Sequence, residues 1–203
     1  MADDYASSAD LKVWLGISDS VDDQAMNDAI TAASRLVDEW CGRHFYKDGS
    51  DEEPATRYYV AADVDLLLTD DLVSVDAVTV DSTGDDTPDR ELSASQWRLE
   101  PVDAAGRGWP YTSIVTPKGE TARFTVGARV QVDGVFGWPD VPSPVKQATL
   151  HQAAMLFKSS KEGTLGVVAI AGFDGAGLRM TGRLHPQTEL LLRPYLRVQL
   201  ADR

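Results

Sequence analysis

The chain is short of almost everything that enzymatic and metal sites are built from. It has one cysteine, Cys41, among 203 residues, so no intramolecular disulfide can form. That usage fits a reducing cytosol, or a particle assembled in one. It has three histidines, His44, His151 and His185, and four methionines. No run of eighteen apolar residues is present, so no membrane-spanning helix is expected. The N-terminal stretch MADDYASSAD is acidic and polar, with neither a basic region nor an apolar stretch behind it, and does not read as a secretion signal. There is no G-x-x-x-x-G-K-[ST] phosphate loop, no G-x-S-x-G and no H-E-x-x-H. The glycines at 172, 175 and 177 do not sit between a parallel strand and a helix, so they make no dinucleotide fingerprint.

The remaining candidates for chemistry are weak. Cys41 and His44 have C-x-x-H spacing, but a structural zinc site needs about four ligands and no second pair exists. A buried helix-end thiol beside a surface histidine accounts for them. Asp22/Asp23, Asp70/Asp71 and Asp85/Asp86 are adjacent carboxylates in or beside polar stretches, which ordinarily are solvated. We therefore expect no catalytic residue, no metal site and no cofactor.

What is present is charge, distributed unevenly. The net charge is −13. Residues 1–106 hold 25 acidic against 7 basic side chains, whereas 107–203 hold 7 against 12. Such asymmetry suits a protein whose two sides meet different neighbours. Sequence-independent DNA binding is disfavoured, because it needs a cationic surface.

The apolar pattern changes period twice. Ser7 with Asp10 three residues on reads as a capping box opening a short helix over 9–15, with Gly16 as its stop. Met26, Ala29, Ile30, Ala33, Val37 and Trp40 follow the spacing of one helical face over 22–41. KDGSDEEPAT, 47–56, reads as a polar linker. From 57 to 137 come short β-rich runs, RYYV, DLLL, AVTV, WRL, SIVT, ARFTV and RVQVDGV, separated by turn-forming stretches such as DSTGDDTPD and TPKGE. After the turn at Gly137-Trp138-Pro139, Ser143-Pro144 opens a third helix, over 144–161. A fourth spans 186–193, with Pro194 at its end.

The fold class predicted is α+β: about four helices forming a bundle core, with an antiparallel β-rich insertion between the second and third. The segments are 1–56 (N-terminal helices), 57–139 (insertion) and 140–203 (C-terminal helices with a Gly-rich loop, 163–183). Trp14, Ile30, Val37, Trp40, Leu156 and Phe157 are expected to be buried together. The Gly-rich loop has six glycines, which makes ordering costly for a lone chain. Its β-formers Val167, Val168, Ile170 and Phe173, with Arg179, are candidates for adding a strand to a neighbouring copy and becoming ordered on assembly. In the C-terminal segment, Leu190, Leu191, Leu192 and Leu196 are apolar anchors near a chain end, and Arg193, Arg197 and Arg203 add positive charge. Trp97, Trp109, Tyr111 and Trp138 form the platform required by an alternative reading, a ligand- or carbohydrate-binding module. A second alternative is an acidic inhibitor that mimics nucleic acid toward a host DNA-binding protein.

Four stretches in order carry a resemblance: residues 11–45, DDLVSVDAVTVDSTG (70–84), VDGVFGWPDVPSPVKQATLHQAAMLF (132–157) and LLLRPYLR (190–197). Over about residues 9–197 the chain resembles the head-to-tail connector, or adaptor, proteins of long-tailed bacteriophages, of the actinobacteriophage type with a β insertion. That resemblance implies a structural virion protein at the head–tail interface, assembled in the host cytoplasm. It implies a ring of copies, twelve in the usual case, beneath the portal protein, which extends the DNA channel and receives the next connector, stopper or tail-completion protein. Genomic DNA passes without specific binding, and an acidic wall suits that passage. The implied portal contact maps onto Leu190, Leu191, Leu192, Pro194, Tyr195 and Arg197, to which Leu196 is added as an apolar neighbour.

Overall fold

The structure is a computed structural model that describes residues 3–119, 123–161, 167–168, 178–179 and 184–197. The chain divides into two compact units. One comprises residues 1–44 and 141–203 and is helical; the other comprises 45–140 and is built on a sheet. The fold is mixed α+β, with the β-rich part inserted between the second and third helices.

The helical unit begins with Tyr5, which is buried at 3% exposure; its backbone N–H donates to Ser34 Oγ at 3.1 Å and its hydroxyl donates to Asp38. Helix α1 (Ser8–Leu15) opens with the expected capping box and closes at Gly16, which takes a φ of 70° that a side chain would disfavour. Helix α2 (Asp23–Cys41) buries Met26, Ala29, Ile30, Ala33, Ser34, Val37 and Cys41 along one face. Helix α3 (Ser143–Lys161) buries Val145, Ala148, Thr149, Leu150, Gln152, Ala153, Ala154 and Phe157. Helix α4 (Pro186–Leu192) is short and is followed by a 3₁₀ turn, Arg193–Tyr195. Leu11, Met26, Ile30, Ala33, Leu150, Ala153 and Phe157 form one continuous core.

Two expected core residues lie elsewhere. Trp14 is 50% exposed and Trp40 38% exposed, while Ile30, Val37 and Phe157 are buried and Leu156 is half-buried against the core. The reason is geometric. Helix α1 has room for a narrow stripe, Leu11 with Leu15. Trp14 sits roughly 60° off Leu11 on the helical wheel, on the side away from Leu15. Trp40 likewise sits roughly 60° off Val37 on the wheel of α2, on the side away from buried Cys41.

The β unit holds one seven-stranded sheet in which every pairing is antiparallel. Its strands are β1 (Lys47–Asp48), β2 (Ala55–Val60), β3 (Leu66–Val80), β4 (Arg90–Glu91), β5 (Arg98–Glu100), β6 (Tyr111–Val115) and β7 (Arg129–Gly137). The order is β1-β7-β3-β6-β5, with β2 also on β7 and β4 also on β3. The fifteen-residue β3 is shared: Leu66–Leu72 pairs with β6 and Leu72–Val80 with β7. Register shifts between Leu72 and Ser74 and between Val75 and Ala77 let one strand serve both partners. Gly134 is required opposite them, since a Cβ there would stand 2.3 Å from the Ser74 carbonyl oxygen. Residues 47–56 are not a free linker. Lys47 and Asp48 pair with β7, and Ala55 and Thr56 begin β2, with Gly49 at a φ of 90° making the turn between them.

Leu67, Leu72, Val78, Val80, Leu92, Ile114, Phe124, Val130, Val132 and Phe136 form the β core. Beside it Trp138, 1% exposed, lies between Phe45 and Trp109, with ring centroids 5.1 Å away on each side. Its indole N–H donates to the buried Asp71 carboxylate at 3.0 Å. A further two-residue ladder pairs β8 (Val167–Val168) antiparallel with β9 (Leu178–Arg179).

Candidate functional site

The C-terminal segment is the expected contact surface, and its parts face different ways. His185 caps α4, its Nδ1 accepting the Gln187 backbone N–H at 3.2 Å, and Pro186 takes the first helical position, where no N–H is needed. Leu184, Thr188 and Leu192 are buried. Leu192, at 0% exposure, is therefore a core residue of the helical unit, and its side chain has no surface to offer a partner. Leu191 and Tyr195 are half-buried, and burial raises the Tyr195 phenol above its ordinary range. Leu190 is 71% exposed, Leu196 40%, and Arg193 and Pro194 stand in solvent between them. The segment is anchored at its far end as well: the Arg197 backbone N–H donates to the Cys41 carbonyl at 2.9 Å, satisfying one of the carbonyls left free at the end of α2. The result is a clamped chain with Leu190, Arg193, Pro194 and Leu196 outward.

The residues expected to add a strand to a neighbouring copy divide. Val167, Val168 and Arg179 belong to the β8–β9 ladder, in the register Val167 opposite Arg179. Ile170, Phe173 and the rest of the Gly-rich loop, 163–183, lie outside the described residues.

The weak chemical candidates find structural roles. Burial pushes the Cys41 thiol up to about 12, with Asp38 adding to the effect and Arg43 opposing it. At 1% exposure the Cys41 side chain packs inside the helical unit. Asp22 pairs with Lys161 and Asp23 with Lys12, at 2.5 Å for the second pair. Asp70 accepts from Arg57 at 2.9 Å, Asp71 from Trp138, and Asp86 pairs with Arg129 at 2.7 Å. Among the described residues no group of three or more His, Cys, Asp or Glu side chains is arranged to hold a metal ion. The proposed aromatic platform is not a platform. Trp138 is fully buried and Trp97, Trp109 and Tyr111 are half-buried, with Trp97 and Tyr111 packed against the β core.

The charge asymmetry is weaker between the two units than between the two halves of the sequence, but it has the same sense: the β unit is the more acidic. The β unit, residues 45–140, holds 19 acidic against 8 basic side chains, and the helical unit holds 13 against 11. In the β unit Arg57 is shared by Asp48 and Asp70, while Arg98, Arg107, Arg123 and Arg129 each pair with one carboxylate. Most of the remaining carboxylates, including Asp51, Glu52, Glu53, Asp63 and Asp76, are exposed. One acid is built into a turn. Burial opposes the charge of Asp81, but the backbone N–H groups of Gly84, Asp86 and Thr83 outweigh it and hold its carboxyl below the usual range.

Several features left no readable signal in the sequence. Tyr5 sits in a stretch that reads as polar tail. Asp71 looks like half of a solvated pair. His151 and His185 are thirty-four positions apart, yet their rings stack at 4.7 Å. No helix of the described residues is long and apolar enough to cross a membrane.

No family model matches this sequence, and no curated protein matches it. Solved structures do. A chain in the neck of an empty gene transfer agent particle, computed with C6 symmetry, matches at a TM-score of 0.57 and 18% identity, over 97% of this chain and 91% of that one. A chain in the neck of the native particle, computed with C12 symmetry, matches at 0.53 and 17%, over 96% and 90%. A chain in the virion of the native gene transfer agent particle matches at 0.55 and 17%, over 97% and 91%. This chain shares their fold across both of its units.

Proposed function

We propose that this chain is a structural protein of the neck of a long-tailed phage or phage-like particle, a head-to-tail adaptor rather than an enzyme. The observation that carries the reading is the extent of the fold match: the helical unit and the inserted sheet together, over nearly the whole of both chains. A likeness confined to four helices would be common coin among bundles; one that includes the insertion is more specific. The sequence resemblance to adaptors, the actinobacteriophage type among them, points the same way.

In this reading the copies close into a ring, twelve in number, beneath the portal protein, and the next connector or stopper docks on the opposite side. A ring of identical copies needs a heterologous interface that closes on itself. The strand-adding residues of the Gly-rich loop, Val167, Val168, Ile170, Phe173 and Arg179, are assigned to that interface. The portal contact is assigned to Leu190, Leu191, Pro194, Tyr195, Leu196 and Arg197, with Leu192 holding the segment from inside. The acidic β unit supports passage of DNA without grip, since phosphate binding needs cationic groups and counterion release.

The test pairs Leu190→Asp with Leu196→Asp. Both side chains are exposed, so the melting temperature should stay within a few degrees of wild type, while attachment to portal-bearing heads falls by tenfold or more. A doubly substituted protein that joins DNA-filled heads as well as wild type removes the C-terminal segment from the portal contact.

A further inference from the structure

Two of the three histidines, His151 and His185, have no part in the function proposed above, yet they meet at the joint that holds α4. His151 on α3 and His185 at the start of α4 stack with ring centroids 4.7 Å apart and planes inclined by 38°. Gln187 lies against both: its backbone N–H donates to His185 Nδ1 at 3.2 Å, and its side chain favours the charged form of His151. Gln152 on α3, 6% exposed, accepts from the His185 backbone N–H at 3.5 Å, a long bond. His151 Nδ1 is buried without a hydrogen-bond partner, and so is the hydroxyl of Thr188 on the neighbouring turn. The joint between α3 and α4 is thus polar, compact and short of partners.

We propose that the His151–His185 stack is a pH-sensitive latch: neutral, it caps α4 and helps dock it on α3; protonated, it weakens that hold and lets α4 open more often. Three features of the joint drive the weakening. An imidazole accepts a hydrogen bond at Nδ1 only while that nitrogen is unprotonated, so protonation there removes the cap of α4. The new positive charge would lie at the positive end of the α4 helix dipole, where a cation is unfavourable. The rings also face each other at stacking distance, where a charge on His185 opposes charging His151.

The surroundings offer the cation little relief. Burial holds the His151 pKa below the usual 6.5 and the charge of His185 lowers it further, with the Gln187 bond working in the opposite direction. Glu189 follows His185 by one turn of α4. Of the charges on the helices around this joint, Lys12 pairs with Asp23, Lys146 with Asp10, Arg35 with Asp38 and Lys161 with Asp22, while Asp28, Glu39, Lys158 and Arg193 stand exposed. The sign follows from linkage. His151 binds protons less readily in the fold than as a free imidazole, so its contribution to stability is full above about pH 6.5 and weakens as pH falls below it. The consequence for attachment to a head rests on the C-terminal contact proposed above; the latch itself does not.

Hydrogen exchange on the isolated subunit separates the two claims. Amide protection over 186–197, corrected for intrinsic exchange, should fall roughly two- to thirtyfold from pH 7.5 to pH 5.5, the factor that one helix cap is worth. Protection of α2 should hold over the same range. In the double variant His151→Gln, His185→Asn, where asparagine retains a cap acceptor that does not titrate, the fall should vanish. A fall of equal size in the double variant, or no fall in the wild type, overturns the latch. Should the variant fail to fold, the wild-type imidazole resonances decide. The latch requires His185 in the Nε2-protonated tautomer at pH 7.5 and loss of α4 protection in step with histidine titration. Titration with α4 protection unchanged refutes it. Loss of head attachment at pH 7.5 in the leucine variants bears on the portal contact alone.

Discussion

Trp138 is the residue whose replacement tests the packing of the β unit most sharply. Its ring is 1% exposed, it lies 5.1 Å from both Phe45 and Trp109, and its one polar atom donates to buried Asp71. Two substitutions separate these contributions. Trp138→Phe retains an aromatic ring but removes the indole N–H, so a buried carboxylate oxygen loses a donor; the cost should be about 1–3 kcal/mol. Trp138→Ala removes the ring as well and leaves a cavity between two aromatic neighbours, for about 3–5 kcal/mol. A domain of this size holds about 5–15 kcal/mol in all, so the alanine variant should lose a large share of its stability. Urea denaturation followed by far-UV circular dichroism gives both values, and hydrogen exchange over 45–140 shows whether the loss is confined to the β unit. Fluorescence is a poor probe here because the substitution removes a tryptophan. If Trp138→Phe lies within 0.5 kcal/mol of wild type, the Asp71 bond contributes nothing. If Trp138→Ala does so too, the aromatic cluster is not a core.

Three further outcomes follow from burial, backbone geometry and charge. Trp14→Ala, at a half-exposed site, should change stability by no more than about 1 kcal/mol, whereas Ile30→Ala, 1% exposed, should cost about 2–5 kcal/mol; denaturation midpoints decide. Gly134→Ala forces a methyl against the Ser74 carbonyl of the adjacent strand and should cost at least about 1–3 kcal/mol, measured the same way. The Asp10 carboxyl is held at about 2, chiefly by the Ser7 hydroxyl and backbone N–H with Lys146 assisting, so its contribution to α1 is complete above about pH 4 and is lost as pH falls to about 2. The stability difference between wild type and Asp10→Asn should accordingly be present at pH 6 and be lost as pH falls through about 2.

Where the apolar period was long, the sequence was readable. Four helices and an antiparallel insertion follow from Met26 through Val37, from Val145 through Phe157 and from the alternation in β7, because a buried stripe repeats often enough to mark its period. Period alone does not tell how deep a stripe runs. Trp14 and Trp40 sit at its rim, and a residue's class cannot distinguish rim from centre. The pairing of residues 47–56 with β7 was hidden because KDGSDEEPAT has the composition of a solvated loop. Its strand ends are held by partners some eighty positions away. The candidate surface was legible in outline, since leucines near a chain end are conspicuous. That Leu192 points inward while Leu190 points out depends on how α4 lies on α3. The His151–His185 stack, the Tyr5 contacts and the Asp71–Trp138 bond are products of the tertiary fold, with no local pattern to announce them.

The central claim is that this chain is a ring-forming protein of the neck. Cryo-electron microscopy of intact particles assembled with this chain, with the helical and β units fitted as separate bodies, tests it most directly. The account predicts twelve copies in one closed ring at the head–tail joint, with Leu190 and Leu196 against the portal. Density for this chain in the capsid shell or at the tail tip would contradict it.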